Sequence, residues 1–161
     1  MQIVRLCKTA LVAAVAFFFT LVAYGNLADY GSNWQLVQHV LSMDTTFPDS
    51  TLRWRAITDP SLQRLAYLLI IATEIVVALI LWFGTLRLLA NLSRPDFSAA
   101  TTTAVGGLTL GFLLYSVGFV SVGGEWFAML QSEIWNGQQK AFEFLTMIGV
   151  VLVILLLPEP E

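Results

Sequence analysis

Cysteine and histidine are almost missing from this 161-residue chain, with Cys7 and His39 the sole examples. One cysteine excludes a disulfide framework, a CxxC redox pair and a thiolate zinc site. One histidine excludes bis-histidine haem ligation within the chain. Charge is also scarce: 12% of residues are charged, about half the share of a soluble domain. The 8 Lys and Arg against 11 Asp and Glu leave a net charge of -3. That balance offers no basic surface for a polyanion, so no nucleic-acid partner is expected. There is no HExxH, no G-x-S-x-G and no P-loop, and a Ser-His-Asp triad would have to be built on His39. The reading is therefore non-enzymatic, with no cofactor, metal or catalytic residue expected.

What the chain has in quantity is apolar surface. Hydrophobic residues make up 57% and mean hydropathy is +0.76. A bilayer span needs about 20 mostly apolar residues, and four stretches qualify: about 9–25, 65–86, 102–122 and 141–157. They are too few and too continuously apolar for a barrel. Backbone groups in lipid must pair internally, so each reads as a helix. The expected fold is an all-α, four-helix transmembrane bundle forming a single domain over 1–161, with two short amphipathic or aromatic segments on its external face. Asp59-Pro60 is an N-cap followed by proline at the first helical position, Pro95-Asp96 or Ser98 plays that part before the third helix, Gly123-Gly124 ends or bends that helix, and Pro158 stops the fourth. Arg5, Lys8 and the run ending Ala23-Tyr24-Gly25 resemble a signal peptide. The bundle needs this helix, so it is read as an uncleaved first span. Positive residues divide evenly, with Arg5, Lys8, Arg87 and Arg94 on the side of the termini and Arg53, Arg55, Arg64 and Lys140 on the other. The positive flank of the first helix breaks the tie and places both termini inside.

The loop of about 26–63 is then external. Trp34, Val37, Val40 and Leu41 recur at helical spacing opposite Gln35, Gln38 and His39, predicting a short amphipathic helix capped by Ser32. The loop of about 123–140 lies on the same face, and Trp126, Phe127, Met129, Leu130 and Trp135 read as an aromatic belt or a second cap. No internal repeat supports an inverted-repeat transporter.

Glu74 is the sharpest single feature. It lies about nine residues, or 13 Å, from either end of the second span. An unpaired carboxylate there costs at least about 2 kcal/mol, so it is neutral or paired inside the bundle. Tyr115, Ser116 and Thr146 are its expected hydrogen-bond partners. The alternative to such interhelical glue is a proton relay, a cation site or a hydrogen bond to a bound ligand. Glu143, one turn into the fourth helix, is expected to pair with Lys140 three residues earlier. Ala104, Gly107, Gly111 and Gly118 share one helix face, and Gly107-x-x-x-Gly111 predicts a close-packed seam. Arg53 and Arg55 flank Trp54 near Asp44, Asp49 and Asp59, which predicts a salt-bridge network within the loop or an anion or lipid-headgroup site. His39 is expected at the surface or interface, and Cys7 near the inner interface.

Three segments carry a family resemblance: VLSMDTTFPDSTLRWRAITDP from Val40 to Pro60, Glu74 itself, and GGEWFAMLQSEIWNGQQKAF from Gly123 to Phe142. Over nearly its whole length the chain resembles a bacterial family described as predicted small integral membrane proteins. Members often carry tryptophan after the methionine where this sequence has Leu130, so the resemblance gives no weight to an aromatic there. It implies a four-span protein of the bacterial inner membrane, and no activity or cofactor.

These motifs fall mainly in the external loops. The leading expectation is accordingly an accessory, assembly or interaction subunit, with the lipid bilayer and a membrane-protein partner or a second copy of the chain around it. A small transporter or proton-linked carrier built on Glu74 is the first alternative, and a quinone- or lipid-binding module the second.

Overall fold

The computed structural model describes residues 2–158, and among them it contains helices and no strands. Helix α1 runs Gln2–Ala28, α2 Tyr30–Ser42, α3 Pro60–Ala90, α4 Phe97–Leu113 and α5 Gln138–Leu156. A π-helical segment, Leu114–Trp126, continues α4 directly, and single 3-10 turns occupy Arg53–Arg55 and Met129–Gln131. Four helices are long and apolar enough to cross a membrane: α1, α3, α4 with its π-helical extension, and α5. The four-helix bundle expected from hydropathy is thus the observed fold. Its helices are longer than the apolar runs, because backbone hydrogen bonding continues past the lipid. Asp59 caps α3 as expected, its Oδ1 accepting from the Ser61 amide at 2.7 Å and the Leu62 amide at 3.4 Å, with Pro60 at the first position.

One stripe organises α1. Arg5, Lys8, Val12, Val15, Ala16, Phe19, Ala23 and Asn26 are all buried, at the three- and four-residue steps of a helix face. A matching stripe on α3 holds Tyr67, Ile71, Glu74, Val77, Leu81, Gly84 and Leu88. Lipid tails are as apolar as the core, so association of these stripes rests on close fit and hydrogen bonds rather than on the hydrophobic effect. Close fit is visible at the glycines. A Cβ on Gly111 would meet the Phe19 ring at 2.7 Å, and one on Gly107 would meet Leu81 Cδ2 at 2.8 Å. The seam predicted on the third helix therefore exists at these two positions, and Ala104 belongs to it, fully buried.

Gly118 does not belong to it. Its Cβ would find only Leu114 Cδ1, at 3.8 Å. The cause is the π-helical segment, which bonds i to i+5 and carries more residues per turn. Seven residues no longer make two turns, so Gly118 rotates off the face that holds Gly111. The backbone does not break at Gly123-Gly124 but continues to Trp126. π-helix is normally a single-turn bulge, and here it spans 13 residues.

Two cations read in the sequence as interfacial flanks are buried instead. The Arg5 guanidinium donates to the carbonyls of Leu92 at 3.0 Å and Arg94 at 2.6 Å and lies 4.9 Å from the Phe97 ring centre. The Lys8 ammonium donates to the carbonyls of Leu155 at 3.3 Å and Leu157 at 2.5 Å. They satisfy chain-end carbonyls that no further helical turn can reach, and Lys8 places its charge where the α5 dipole favours it.

At the opposite end, α2 folds over the bundle. Asp29 rather than Ser32 precedes it, without a side-chain cap. Its C-terminus turns at Met43, which has a left-handed φ of 52°, and Ala128 in the facing loop has φ 50°. Both non-glycine residues sit in one small cluster with Leu41 and Phe127. Such backbone costs about 1–3 kcal/mol each and persists only where packing enforces it.

Candidate functional site

Glu74 sits in the middle of α3 and is 2% exposed. Its partner is Asn26 of α1, whose Nδ2 donates to Glu74 Oε2 at 2.6 Å. Tyr67, two turns earlier on α3, donates its hydroxyl to the Asn26 backbone carbonyl at 3.2 Å and shares Asn26 Oδ1 at 3.4 Å. The expected partners are elsewhere. Thr146 is exposed and bonds the carbonyl of Phe142 within its own helix at 2.7 Å. Ser116 contributes its carbonyl to Ser121 Oγ at 2.9 Å. Tyr115 is brought to the same site as Glu74, but the two share no hydrogen bond. Asn26 was missed because hydropathy ends the first span at Gly25. Continuing the α1 stripe by three residues from Ala23 reaches it.

The group opens onto a cavity of about 270 Å³ that Asn26, Tyr67, Glu74, Tyr115, Phe119 and Phe144 line in part. The second carboxylate oxygen of Glu74 and the hydroxyl of Tyr115 make no hydrogen bond to the described protein atoms, and neither is a sealed, unpartnered atom. Both therefore face the cavity. At the loop end its lining takes in Asn33, Gly137 and Lys140, of which Asn33 and Lys140 are exposed. Lys140 pairs with Glu143 at 2.7 Å, as its spacing predicts, and both are largely solvated. A second cavity of about 260 Å³, lined almost wholly by apolar side chains such as Leu41, Leu69, Val122 and Phe127, adjoins the first. Leu36, Val37, Ile70 and Phe119 line both. Toward the termini the space closes: Val15, Phe19, Val77, Leu81 and Leu108 are at most 1% exposed.

The π-helical segment shapes this hollow. Tyr115 lines the Glu74 cavity, Phe119 lines both, and Gly118, Val122 and Gly123 line the apolar one. Gly118, expected in helix packing, instead leaves room at a wall.

The two loops come together above the cavities, as their shared face predicts. Thr45 Oγ1 donates to Ser132 Oγ at 2.9 Å, and the His39 ring stacks on Trp135 with centres 4.8 Å apart. The salt-bridge network expected for Arg53 and Arg55 is not formed. Arg53 donates to Thr46 Oγ1 at 3.2 Å and to the Thr46 carbonyl at 3.1 Å. Arg55 donates to the Trp126 carbonyl at 3.2 Å, with its guanidinium 4.5 Å from the Trp126 ring and 5.4 Å from Trp54. Asp44 pairs instead with His39 Nδ1 at 2.8 Å. The turns leave carbonyls and ring faces nearer to the arginines than any carboxylate. Trp54 remains 73% exposed and Trp126 48%. Cys7 is an exposed free thiol on α1.

A family model described as predicted small integral membrane protein (DUF2165) matches residues 4–158. No curated protein and no solved structure matches the chain.

Proposed function

The chain belongs to this family of integral membrane proteins of unknown function, and from that premise we propose that it is an intramembrane binding module for an amphipathic small molecule. The observation that carries the reading is a cavity that takes in the Glu74 carboxyl and shares Leu36, Val37, Ile70 and Phe119 with an almost wholly apolar one beside it. A few convergent polar groups in a mostly apolar hollow are the usual form of a small-molecule site. The ligand's head meets Glu74, Asn26 and Tyr115, and its chain runs past Val37 and Ile70 toward Phe127. This favours the binding module over a carrier, which needs a second opening where the bundle is filled. In a bacterial inner membrane with both termini cytoplasmic, the Lys140 end of the cavity is on the external side.

The test fills the boundary that the two cavities share. Val37→Phe combined with Ile70→Phe adds bulk where both hollows meet and leaves Glu74 intact. Protein purified in mild detergent is extracted, and its small molecules are identified by mass spectrometry. Wild type retains a stoichiometric amphiphile that the double variant loses. Identical extracts from both, at equal helicity, overturn the reading.

A second reading, an accessory subunit of a membrane complex, draws on the exposed loop-side side chains Trp54 and Ile134, 73% and 76% exposed. Changing Trp54 or Trp126 then depletes a co-purifying protein without altering the small-molecule content.

A further inference from the structure

The head-group chemistry follows from what surrounds Glu74. Two aromatic groups meet at its cavity. On one side, Tyr67 of α3 packs against Tyr30 and Trp34 of α2 with ring centres 4.8 and 6.1 Å apart. From the π-helical segment, Tyr115 packs against Phe119 at 5.4 Å and against Phe144 of α5 at 5.3 Å. Tyr67, Tyr115, Phe119 and Phe144 all line the hollow together with a single carboxylate. The one basic residue in its lining, Lys140, is exposed at the loop end and engaged with Glu143. The site thus offers one carboxyl group, the negative faces of aromatic rings, and a neutral amide as the carboxyl's partner. That is the surrounding that attracts an organic cation. A neutral quinone-like head would need donors at its carbonyls. Tyr115 supplies one, whereas an ammonium head needs an acceptor and keeps Glu74 ionised, so that its free oxygen serves as one.

We infer that the Glu74 cavity binds an alkylammonium head group, the free carboxylate oxygen taking its charge and the rings of Tyr115 and Phe144 its flanks, with the alkyl chain in the adjoining apolar cavity. This rests on the binding-module reading and assigns that module's ligand class.

The experiment titrates octyltrimethylammonium, octanol and a decyl-substituted benzoquinone into the protein in lipid nanodiscs, by calorimetry, with empty nanodiscs subtracted. Wild type binds the ammonium saturably and binds octanol at least about tenfold more weakly, as expected for loss of one charged contact. Glu74→Gln keeps the hydrogen-bonding shape and loses about tenfold or more in ammonium affinity. Tyr115→Leu, which leaves the carboxylate in place, loses several-fold. The inference is overturned, with the binding module intact, if the benzoquinone binds saturably and the ammonium does not. It is equally overturned if Glu74→Gln and Tyr115→Leu, both folded by circular dichroism, bind the ammonium like wild type. Failure of all three probes to bind wild type overturns both the inference and the module.

Discussion

Gly84→Val will lower the melting temperature by about 6–12 °C. A Cβ at Gly84 would lie 3.0 Å from both Cα and N of Ala104 and 3.1 Å from its Cβ. The first two are backbone atoms of α4, so no rotamer change relieves the contact and the two helices must separate. Overpacking costs about 1–3 kcal/mol where side chains can yield, and this site belongs at the upper end. At about 2–4 °C per kcal/mol for a chain of this size, the stated shift follows. Gly106→Val is the matched control. It lies on the same helix as Ala104 with nothing within 4 Å of its Cβ, and its melting temperature will stay within about 1–2 °C of wild type, the scale of a surface substitution. Thermal unfolding of both variants in one detergent decides the matter. Equal shifts would mean that the Gly84–Ala104 approach does not limit the bundle.

Lys8→Met will destabilise the protein by about 2 kcal/mol, and Arg5→Ala by about 2–3 kcal/mol. Hydrogen bonds made by a charged donor contribute about 1.5–3 kcal/mol, and removing the donor leaves buried acceptors unsatisfied. Methionine keeps most of the lysine stem but cannot donate to Leu155 and Leu157. Alanine at Arg5 removes the donors to Leu92 and Arg94 and the stacking on Phe97. The two losses have different addresses. Hydrogen exchange will quicken in the last turn of α5 for Lys8→Met, and at the α3–α4 turn for Arg5→Ala. Uniform quickening in both would refute a local clamp at either site.

The bundle was legible because hydropathy reports directly on the bilayer. Which helix faces meet was less legible, since each span is apolar nearly all round. The stripes themselves carry the missing information. Stepping by threes and fours from Glu74 reaches Gly84 through Val77 and Leu81, and the corresponding α1 stripe joins Lys8 to Asn26. Asn26 and Lys8 lay just outside the apolar runs, where polarity reads as an edge signal and conceals a buried role. Gly118 failed for another reason. Spacing arguments assume an unchanging turn, and no residue type in LYSVGFVSVGGEW announces a π-helical one. The arginines of the loop went astray because sequence proximity to aspartates says nothing about which backbone carbonyls a tight turn exposes.

The hollow at Glu74 opens at one end of the bundle and stops at a filled half. In a polarised membrane the voltage falls across the whole thickness of the bundle, and Glu74 lies midway along α3. A charge that settles there has crossed about half the field. A whole crossing amounts to about 2.3 kcal/mol per 100 mV, so occupancy by a monovalent cation changes about several-fold per 100 mV. The sign of that change gives the polarity of the loops: an inside-negative potential draws a cation in from an outward-facing mouth and holds it back from an inward-facing one.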